Sequence, residues 1–240
     1  MQPGGRPTPG FHYPDELMTT VDQIIRSRRR TTVIQVKDDG TVIVRAPLRA
    51  SDKMIQETID KFRDWITEKR KQAKERKKES PQNTFVEGDF FYFLGEKYPL
   101  IFQQDLPEDV VFKQAFYTAP APPVFVKKRL EEWYRKTARK FITAKVATFA
   151  TAFELKHSAV KINSANQRWG SCTCKGILNF PWRLIMCPEP VIDYIVAHEL
   201  AHLKQMNHSK HFWQTVQAMC PDYLQRQKWL TNNAHFFSHF

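Results

Sequence analysis

The chain has 240 residues, of which 42% are hydrophobic and 13% aromatic, and it carries a formal net charge of +12. This composition excludes a largely disordered protein, and the lack of an apolar run of about 20 residues excludes a helical membrane span. The four cysteines predict no disulfide framework, and the N-terminus lacks the apolar segment of a secretory signal. We therefore expect a cytoplasmic protein with no membrane partner.

Residues 1–20 are rich in proline and glycine and predict a disordered lead-in to an N-terminal β-rich lobe over residues 21–118. Residues 21–30 open this lobe and predict a short helix or strand. Residues 31–37 and 41–45 are β-branched runs on either side of an Asp-Gly turn, which predicts a β-hairpin.

A long charged helix is expected after this hairpin, beginning at the capping residue Ser51 and ending near residue 78. Its apolar residues recur at helical spacing and predict an inner face formed by Met54, Ile55, Ile59, Phe62 and Ile66. Residues 85–103 and 112–117 then predict further strands.

The proline cluster at residues 118–123 predicts a domain boundary, so we expect a second domain over residues 124–240. Residues 124–155 are amphipathic and predict one or two helices that pack against this domain. Residues 159–171 predict a strand, and a turn at 174–176 leads to residues 177–184, which pair back with it. A β-hairpin is therefore expected shortly before residue 191.

The strongest chemical signal is His198-Glu-Leu-Ala-His202, which matches the H-E-x-x-H pattern inside a mostly apolar helix. Residues four apart lie on one helix face, so the two imidazoles point toward the same position. Glu199 lies about 100° around the helix from His198, within reach of a water molecule held there. The alternative is a chance pair of histidines, but a buried His-Glu-His group without a metal is costly.

A catalytic zinc site needs a third protein ligand and an open position. No glutamate follows Glu199, which leaves as candidates His208, His211, Cys220, Asp222, His235 and His239. His208 has the metzincin spacing from His202 and is the favoured candidate. Asn207 is expected to turn the chain in the left-handed conformation, and Ser209 is expected to cap the next helix. Asp222 would then orient an imidazole or lie on the surface.

This stretch, together with Arg168-Trp-Gly-Ser-Cys172 upstream, resembles the YgjP-like metallopeptidase-type family. The similarity is close over residues 160–230, where it includes Trp182-Arg-Leu-Ile and Asn207-His-Ser-x-x-Phe-Trp213. A looser likeness begins near the basic residues that follow Ser27.

The resemblance implies a zinc hydrolase fold with His198, His202 and His208 as ligands and Glu199 as the general base. We expect one Zn²⁺ per chain and a distant likeness to SprT-like proteases. The predicted fold class is therefore α+β: the N-terminal β-rich lobe with its long helix, then a zincin-like core over residues 124–240, in which a β-hairpin precedes the H-E-x-x-H helix.

Two further residues are candidates for contacts with the substrate or the transition state. Arg168 could hold a carboxylate, a phosphate or an oxyanion, and a structural role for it is equally compatible with the sequence. Tyr194 lies one helical turn before His198 and could donate to an oxyanion, although a packing role is the alternative.

The leading hypothesis is a metallopeptidase-type hydrolase acting on a peptide or protein, with the hairpin edge aligning an extended chain. The alternative is a metal-dependent nucleoside triphosphate hydrolase, which the positive charge favours although no Walker-type glycine loop is present. A second alternative is a zinc-stabilised binding module. The basic patches near residues 26–30 and 69–78 also make nucleic acid a possible partner, although such runs are more often solvated surface.

Overall fold

The computed structural model describes residues 21–37, 39–79, 83–238 and 240, and the chain divides into two compact units, residues 1–80 and 81–240. The lead-in predicted for residues 1–20 lies outside the described residues. The boundary predicted at residues 118–123 falls inside the second unit, whereas the division lies at residue 80. No helix in the described part of the chain is long and apolar enough to cross a membrane.

The first unit is a three-stranded sheet with two helices. Its elements are β1 (Gln23–Ser27), β2 (Val33–Val36), β3 (Val42–Pro47), α1 (Asp52–Lys61) and α2 (Arg63–Glu79). The strand order is β1-β3-β2, with β1 parallel to β3 and β2 antiparallel to it. The predicted hairpin is confirmed, because β2 and β3 pair so that Val36 lies opposite Val42. Residues 21–30 contain a strand rather than a helix.

The long charged helix is two helices that are separated at Phe62. The side chain of Ser51 accepts a hydrogen bond from the Met54 N–H, so the predicted cap is confirmed. Ile55, Ile59 and Ile66 are buried in the core of this unit. Met54 and Phe62 are 60% and 43% exposed, so the predicted inner face was too wide.

The second unit begins with a four-stranded sheet in the order β4-β5-β7-β6. Its strands are β4 (Phe90–Phe93), β5 (Glu96–Phe102), β6 (Val111–Phe112) and β7 (Phe116–Thr118). A single helix of 30 residues, α3 (Pro123–Ala152), follows with Pro123 in its first turn. The proline cluster therefore starts a helix, because proline at the first helical position forfeits no hydrogen bond.

Helix α3 buries one residue in every four, and this regular stripe faces the core of the second unit. The stripe consists of Val126, Leu130, Tyr134, Ala138, Ile142, Val146 and Ala150. Tyr134 also donates a hydrogen bond from its hydroxyl to the Tyr92 carbonyl oxygen at 2.6 Å, which ties α3 to β4. The core that α3 shares with the later elements is therefore continuous with the first sheet of this unit.

The rest of the unit carries the predicted hairpin and the H-E-x-x-H helix. Its elements are β8 (Ala159–Asn163), β9 (Ser171–Cys172), β10 (Ile177–Pro181), a 3₁₀ helix (Trp182–Met186), α4 (Glu189–Ala201), α5 (Lys210–Met219), α6 (Tyr223–Asn233) and α7 (His235–Ser238). The sheet order is β8-β10-β9, with β10 parallel to β8 and antiparallel to β9. The mixed α+β class is confirmed, and β9 is an edge strand of this sheet.

Gly95 fixes the β4–β5 turn against the start of α4. The N–H groups of Leu94 and Gly95 donate to the carbonyl oxygens of Ile185 and Met186 at 3.0 and 2.9 Å. The φ angle of Gly95 is +93°, and a Cβ placed there would lie 2.7 Å from Cγ of Pro188. Glycine is therefore required at this position for both conformation and space.

Gly95→Ala is expected to lower the free energy of unfolding by about 2–4 kcal/mol, because left-handed strain adds to overlap with Pro188. The matched control is Gly88→Ala: the φ angle there is +88°, but a Cβ would meet nothing within 4 Å. This control should cost only the backbone strain of about 1–2 kcal/mol. Urea unfolding of both variants measures the difference, and equal losses would contradict the steric contribution.

Candidate metal centre

Three histidines from two neighbouring segments converge in the second unit. His198 and His202 lie at the end of α4, and His208 lies in the segment that leads to α5. One potential ligand atom from each histidine lies within 4.8 Å of the other two. Among the described residues, no carboxylate or thiol joins the three histidines in this group. The structure therefore brings together the three histidines predicted from the sequence.

The distances inside this triad fit a tetrahedral metal ion. Nε2 of His198 and Nε2 of His208 are 3.2 Å apart. Two nitrogens bound to one zinc ion at 2.0–2.1 Å in tetrahedral geometry are about 3.3 Å apart. Two imidazole nitrogens that face each other share at most one proton, so a cation between them satisfies both lone pairs. The donor set therefore fits a divalent metal, and imidazole nitrogens favour zinc among such metals.

His202 is oriented by the backbone of the loop that follows α4. Its Nδ1 lies 3.2 Å from the carbonyl oxygen of Gln205. A carbonyl oxygen can only accept, so Nδ1 carries the proton and Nε2 is left with a lone pair that is free to bind a metal. Asp222, which the sequence suggested for such a role, instead forms an ion pair with Arg226 at 2.8 Å.

Burial keeps the imidazoles of His198 and His202 neutral near pH 7. Burial, together with the smaller effect of the charges of His202 and His208, lowers the pKa of His198 to about 4. Burial also lowers the pKa of His202, against the effect of its hydrogen bonds to the Gln205 and Met206 backbone. Neutral imidazole is the form that binds a metal, so His198 and His202 need no deprotonation step at neutral pH.

Glu199 is a charged residue in an otherwise apolar part of the core. Among the side chains that the structure describes, it is the one buried charged residue, with 5% of its surface exposed. Its Oε2 is buried without a hydrogen-bond partner in the described part of the chain. Burial raises the pKa of Glu199 to about 8, and the charge of Arg168 partly opposes this rise. A buried carboxylate that lacks a partner is costly in a structural role, so this position indicates chemistry.

Gly170 forms the wall against which this carboxylate packs. A Cβ at residue 170 would lie 2.4 Å from Oε1 of Glu199 and 2.5 Å from its Cγ. The residue lies directly before β9, which pairs with β10. The sequence indicated only a tight packed turn here, and no local signal reveals a contact with a residue 29 positions later.

The other predicted residues lie in different settings. Arg168 is exposed, and its positive charge is close enough to Glu199 to lower the pKa of that carboxyl group. Tyr194 is 4% exposed, its ring centre lies 6.0 Å from that of His198, and burial raises its pKa to about 12. His211 is exposed on α5, Cys220 is a buried free thiol, and His239 lies outside the described residues.

The loop between α4 and α5 departs from one expectation. Ser209 caps α5 by accepting a hydrogen bond from the Phe212 N–H at 3.4 Å, as predicted. Asn207 does not adopt the left-handed conformation expected of it; its side chain instead accepts a hydrogen bond from Nε2 of Gln205 at 2.9 Å. The turn is made by residues of ordinary backbone conformation, so the glycine of the metzincin pattern is not needed.

An aromatic stack supports His208, which is the exposed member of the triad. The Trp213 ring lies 5.8 Å from that of His208 at an interplanar angle of 27°, and Tyr223 stacks on Trp213 at 5.3 Å and 19°. Beneath the triad, the buried Phe212 ring lies 4.6–4.9 Å from all three imidazoles. The stack therefore restrains the one imidazole that the core does not enclose.

Trp213→Ala is expected to weaken zinc binding about 10-fold, because His208 would lose the surface that holds its ring. Trp213→Phe keeps an aromatic face and should lose less. Competition with a chromophoric zinc chelator measures the affinity, and Trp65→Ala, which removes an exposed tryptophan of the first unit, is the control. Wild-type affinity in Trp213→Ala would show that the stack does not restrain His208.

Three histidines around one position, a buried glutamate beside them and an adjacent sheet edge are features of the metal-dependent hydrolase class. The comparison with known families identifies the group within that class. The YgjP-like model, metallopeptidase domain, matches residues 30–233, and the chain belongs to this family. The resemblance seen in the sequence is thereby confirmed, and the family implies a divalent metal, typically zinc.

Two individual proteins show more limited similarity. The UTP pyrophosphatase of Escherichia coli (strain K12) is 48% identical over 48 residues, which are 18% of this chain and 29% of that protein. The match therefore spans less than a third of that relative. The crystal structure of the metallopeptidase zymogen of Pyrococcus abyssi abylysin is 22% identical with a TM-score of 0.35, and covers 38% of this chain and 92% of that chain.

Proposed function

We propose that this protein is a zinc-dependent hydrolase of the metallopeptidase type, with one Zn²⁺ per chain held by His198, His202 and His208. The observation that carries this proposal is Glu199, a buried carboxylate without a hydrogen-bond partner on Oε2 beside a converging histidine triad. When bound, zinc supplies Lewis-acid chemistry, because it lowers the pKa of water and polarises the oxygen of the scissile group.

The protein residues supply the proton transfers. Glu199 takes a proton from the attacking water at Oε2, which has no competing donor among the described residues. It then returns that proton to the leaving group. Without a metal the pKa of Glu199 is about 8, so the carboxyl group is mostly protonated at neutral pH. A positive charge at the triad would lower this pKa and favour the ionised form that acts as the base.

The edge strand β9 and the exposed Arg168 suit two classes of substrate. The free side of β9 could pair with an extended peptide through backbone hydrogen bonds. The second candidate is hydrolysis of a nucleoside triphosphate, which is favoured by the relative named UTP pyrophosphatase. In that case we expect Arg168, which is exposed, to contact the phosphates.

The test uses zinc-loaded protein, a pool of unfolded proteins and a pool of nucleoside triphosphates, with and without Mg²⁺. Mass spectrometry identifies the products, and Glu199→Gln and chelator-treated protein are the controls. Peptide fragments that require Glu199 would support the peptidase, whereas nucleoside mono- or diphosphate that requires Glu199 would support the second candidate. Arg168→Gln should then raise the KM for the nucleotide. The absence of product from both pools would favour a zinc-stabilised binding module.

A further inference from the structure

A group of hydrogen-bond donors without acceptors lies at the end of β10, away from the three histidines in the sequence. Nε1 of Trp182 and both Nε and Nη1 of Arg183 are buried, and they have no hydrogen-bond partner among the residues that the structure describes. A buried donor that lacks an acceptor costs about 1–3 kcal/mol, and more when it is charged. Three such donors on two successive residues indicate that an acceptor from outside the chain belongs here.

A second guanidinium lies beside these donors. Cζ of Arg183 is 4.5 Å from the centre of the Trp182 ring, and Cζ of Arg135 is 5.9 Å from the same ring. Trp182 is fully buried and stacks on Tyr134 at 5.7 Å, so the ring is held rigidly. Two arginines on one immobile indole form a fixed framework, which lowers the entropy cost of binding a ligand.

The charges in this group are not balanced. Glu131 accepts hydrogen bonds from Nε and Nη2 of Arg135 at 3.1 and 2.6 Å, and Nη2 also donates to Oγ of Ser164. These bonds leave Nη1 of Arg135 for another acceptor. Burial lowers the pKa of Arg183, Glu131 raises it and Arg135 lowers it. One carboxylate therefore faces two guanidiniums, and a net positive charge remains.

We propose that Arg135, Ser164, Trp182 and Arg183, here called the donor cluster, bind one phosphate group. The cluster offers only N–H donors and one hydroxyl, and planar guanidiniums match the geometry of phosphate oxygens. A water molecule would accept hydrogen bonds from one or two donors but would leave the positive charge unbalanced. An anion accepts the hydrogen bonds and also balances the charge. Arg135 and Arg183 are half-buried and Ser164 is exposed, so the cluster reaches the surface. The unpartnered nitrogens of Trp182 and Arg183 are themselves closed to solvent, so the Arg183 side chain must shift to admit the phosphate.

The phosphate could be free orthophosphate or a phosphate of a nucleotide, since both present the same oxygens. The proposal does not rest on the proposed function, because the cluster shares no residue with the histidine triad or Glu199. Metal-free protein therefore tests it directly, and orthophosphate is the probe. Isothermal titration calorimetry at low ionic strength is expected to show one site per chain.

Arg183→Gln is expected to weaken orthophosphate binding about 10- to 100-fold, because it removes a charged donor. Trp182→Phe keeps the aromatic packing, removes only the Nε1 donor and should weaken binding about 5-fold. Arg139→Gln removes an equal charge from an exposed position one turn further along α3 and should change the affinity less than about 2-fold. Melting temperatures establish that each variant is folded.

The same titration with UTP in place of orthophosphate distinguishes the two sources. Parallel losses of affinity for UTP and orthophosphate in Arg183→Gln would assign the cluster to a nucleotide phosphate. A loss for orthophosphate alone would assign it to the free ion. The proposal is overturned if wild-type protein shows no binding up to 20 mM orthophosphate, on the order of the weakest affinity that two charged contacts would give, or if Arg183→Gln binds as tightly as the wild type.

Discussion

Replacement of Glu199 by glutamine is expected to lower turnover by about 10²–10⁴-fold while the zinc content stays at one ion per chain. Glutamine keeps the size of the side chain and its contact with Gly170, but its amide cannot take a proton from water. The three histidines are unchanged, so metal binding should be retained. Turnover and zinc content are measured on the same preparation, with the substrate that the pooled assay identifies.

The same variant gives a second result that does not depend on a substrate. In metal-free protein the pKa of Glu199 is about 8 when folded, against an ordinary value of 4.5. Between these values the unfolded chain has lost the proton that the folded chain retains, so Glu199 makes stability fall as pH rises. Glu199→Gln should therefore gain stability over wild type from pH 5 to pH 8, by on the order of 3 kcal/mol at pH 8.

The comparison with wild type is needed because His198 acts in the opposite direction. Its folded pKa is about 4, so it makes stability rise with pH up to its ordinary value of 6.5. Both proteins contain this histidine, and the difference between them isolates Glu199. Thermal unfolding in chelator from pH 5 to pH 8 provides the measurement. A constant difference across this range would mean that the carboxylate is not buried in the folded protein, and retained turnover would place the base elsewhere.

The convergence of the three histidines could be predicted from the sequence because its signal is local. The spacing of His198 and His202 fixes them on one helix face, and the apolar residues around them indicate burial. His208 follows within a short loop, so few conformations are open to it. The hairpin of β9 and β10 was also predictable, because turn residues and alternating side chains act over a few positions.

The errors arose where the tertiary environment overrides a local pattern. Phe62 has helical spacing with Ile59 and Ile66, but the helix breaks there and its ring is 43% exposed. The prolines before α3 indicated a boundary, although their fixed φ angle equally suits a helix start. Of the two roles considered for Asp222, the structure fits the surface one, because the side chain is 43% exposed and pairs with Arg226 one turn away on the same helix.

Gly170 shows why the rest of the site could not be predicted. Its role depends on the packing of β9 against α4, and a contact across 29 residues leaves no periodic signal. Its φ angle is not in the left-handed region, so conformation does not require glycine. The requirement is space alone, because the three heavy atoms nearest to an added Cβ all belong to Glu199.

Gly170→Ala is therefore expected to lower turnover about 100-fold, because the carboxylate must move by roughly 1 Å to clear the new methyl group. Real Cβ contacts essentially never fall below 3.0 Å, whereas this one would be 2.4 Å from Oε1. The zinc content should be unchanged, since no histidine is among the atoms displaced. Turnover and zinc content are again measured together.

Glu199→Ala removes the atoms that the methyl group would strike, so it provides the control. If Gly170→Ala acts only through Glu199, adding it to Glu199→Ala should reduce turnover no further, and the coupling energy should nearly equal the whole effect of Gly170→Ala. Additive losses would mean that the methyl group disturbs β9 or the substrate instead. Wild-type turnover in Gly170→Ala alone would mean that the backbone at residue 170 can shift to accommodate the methyl group. The position of Glu199 would then be less restrained than its burial implies.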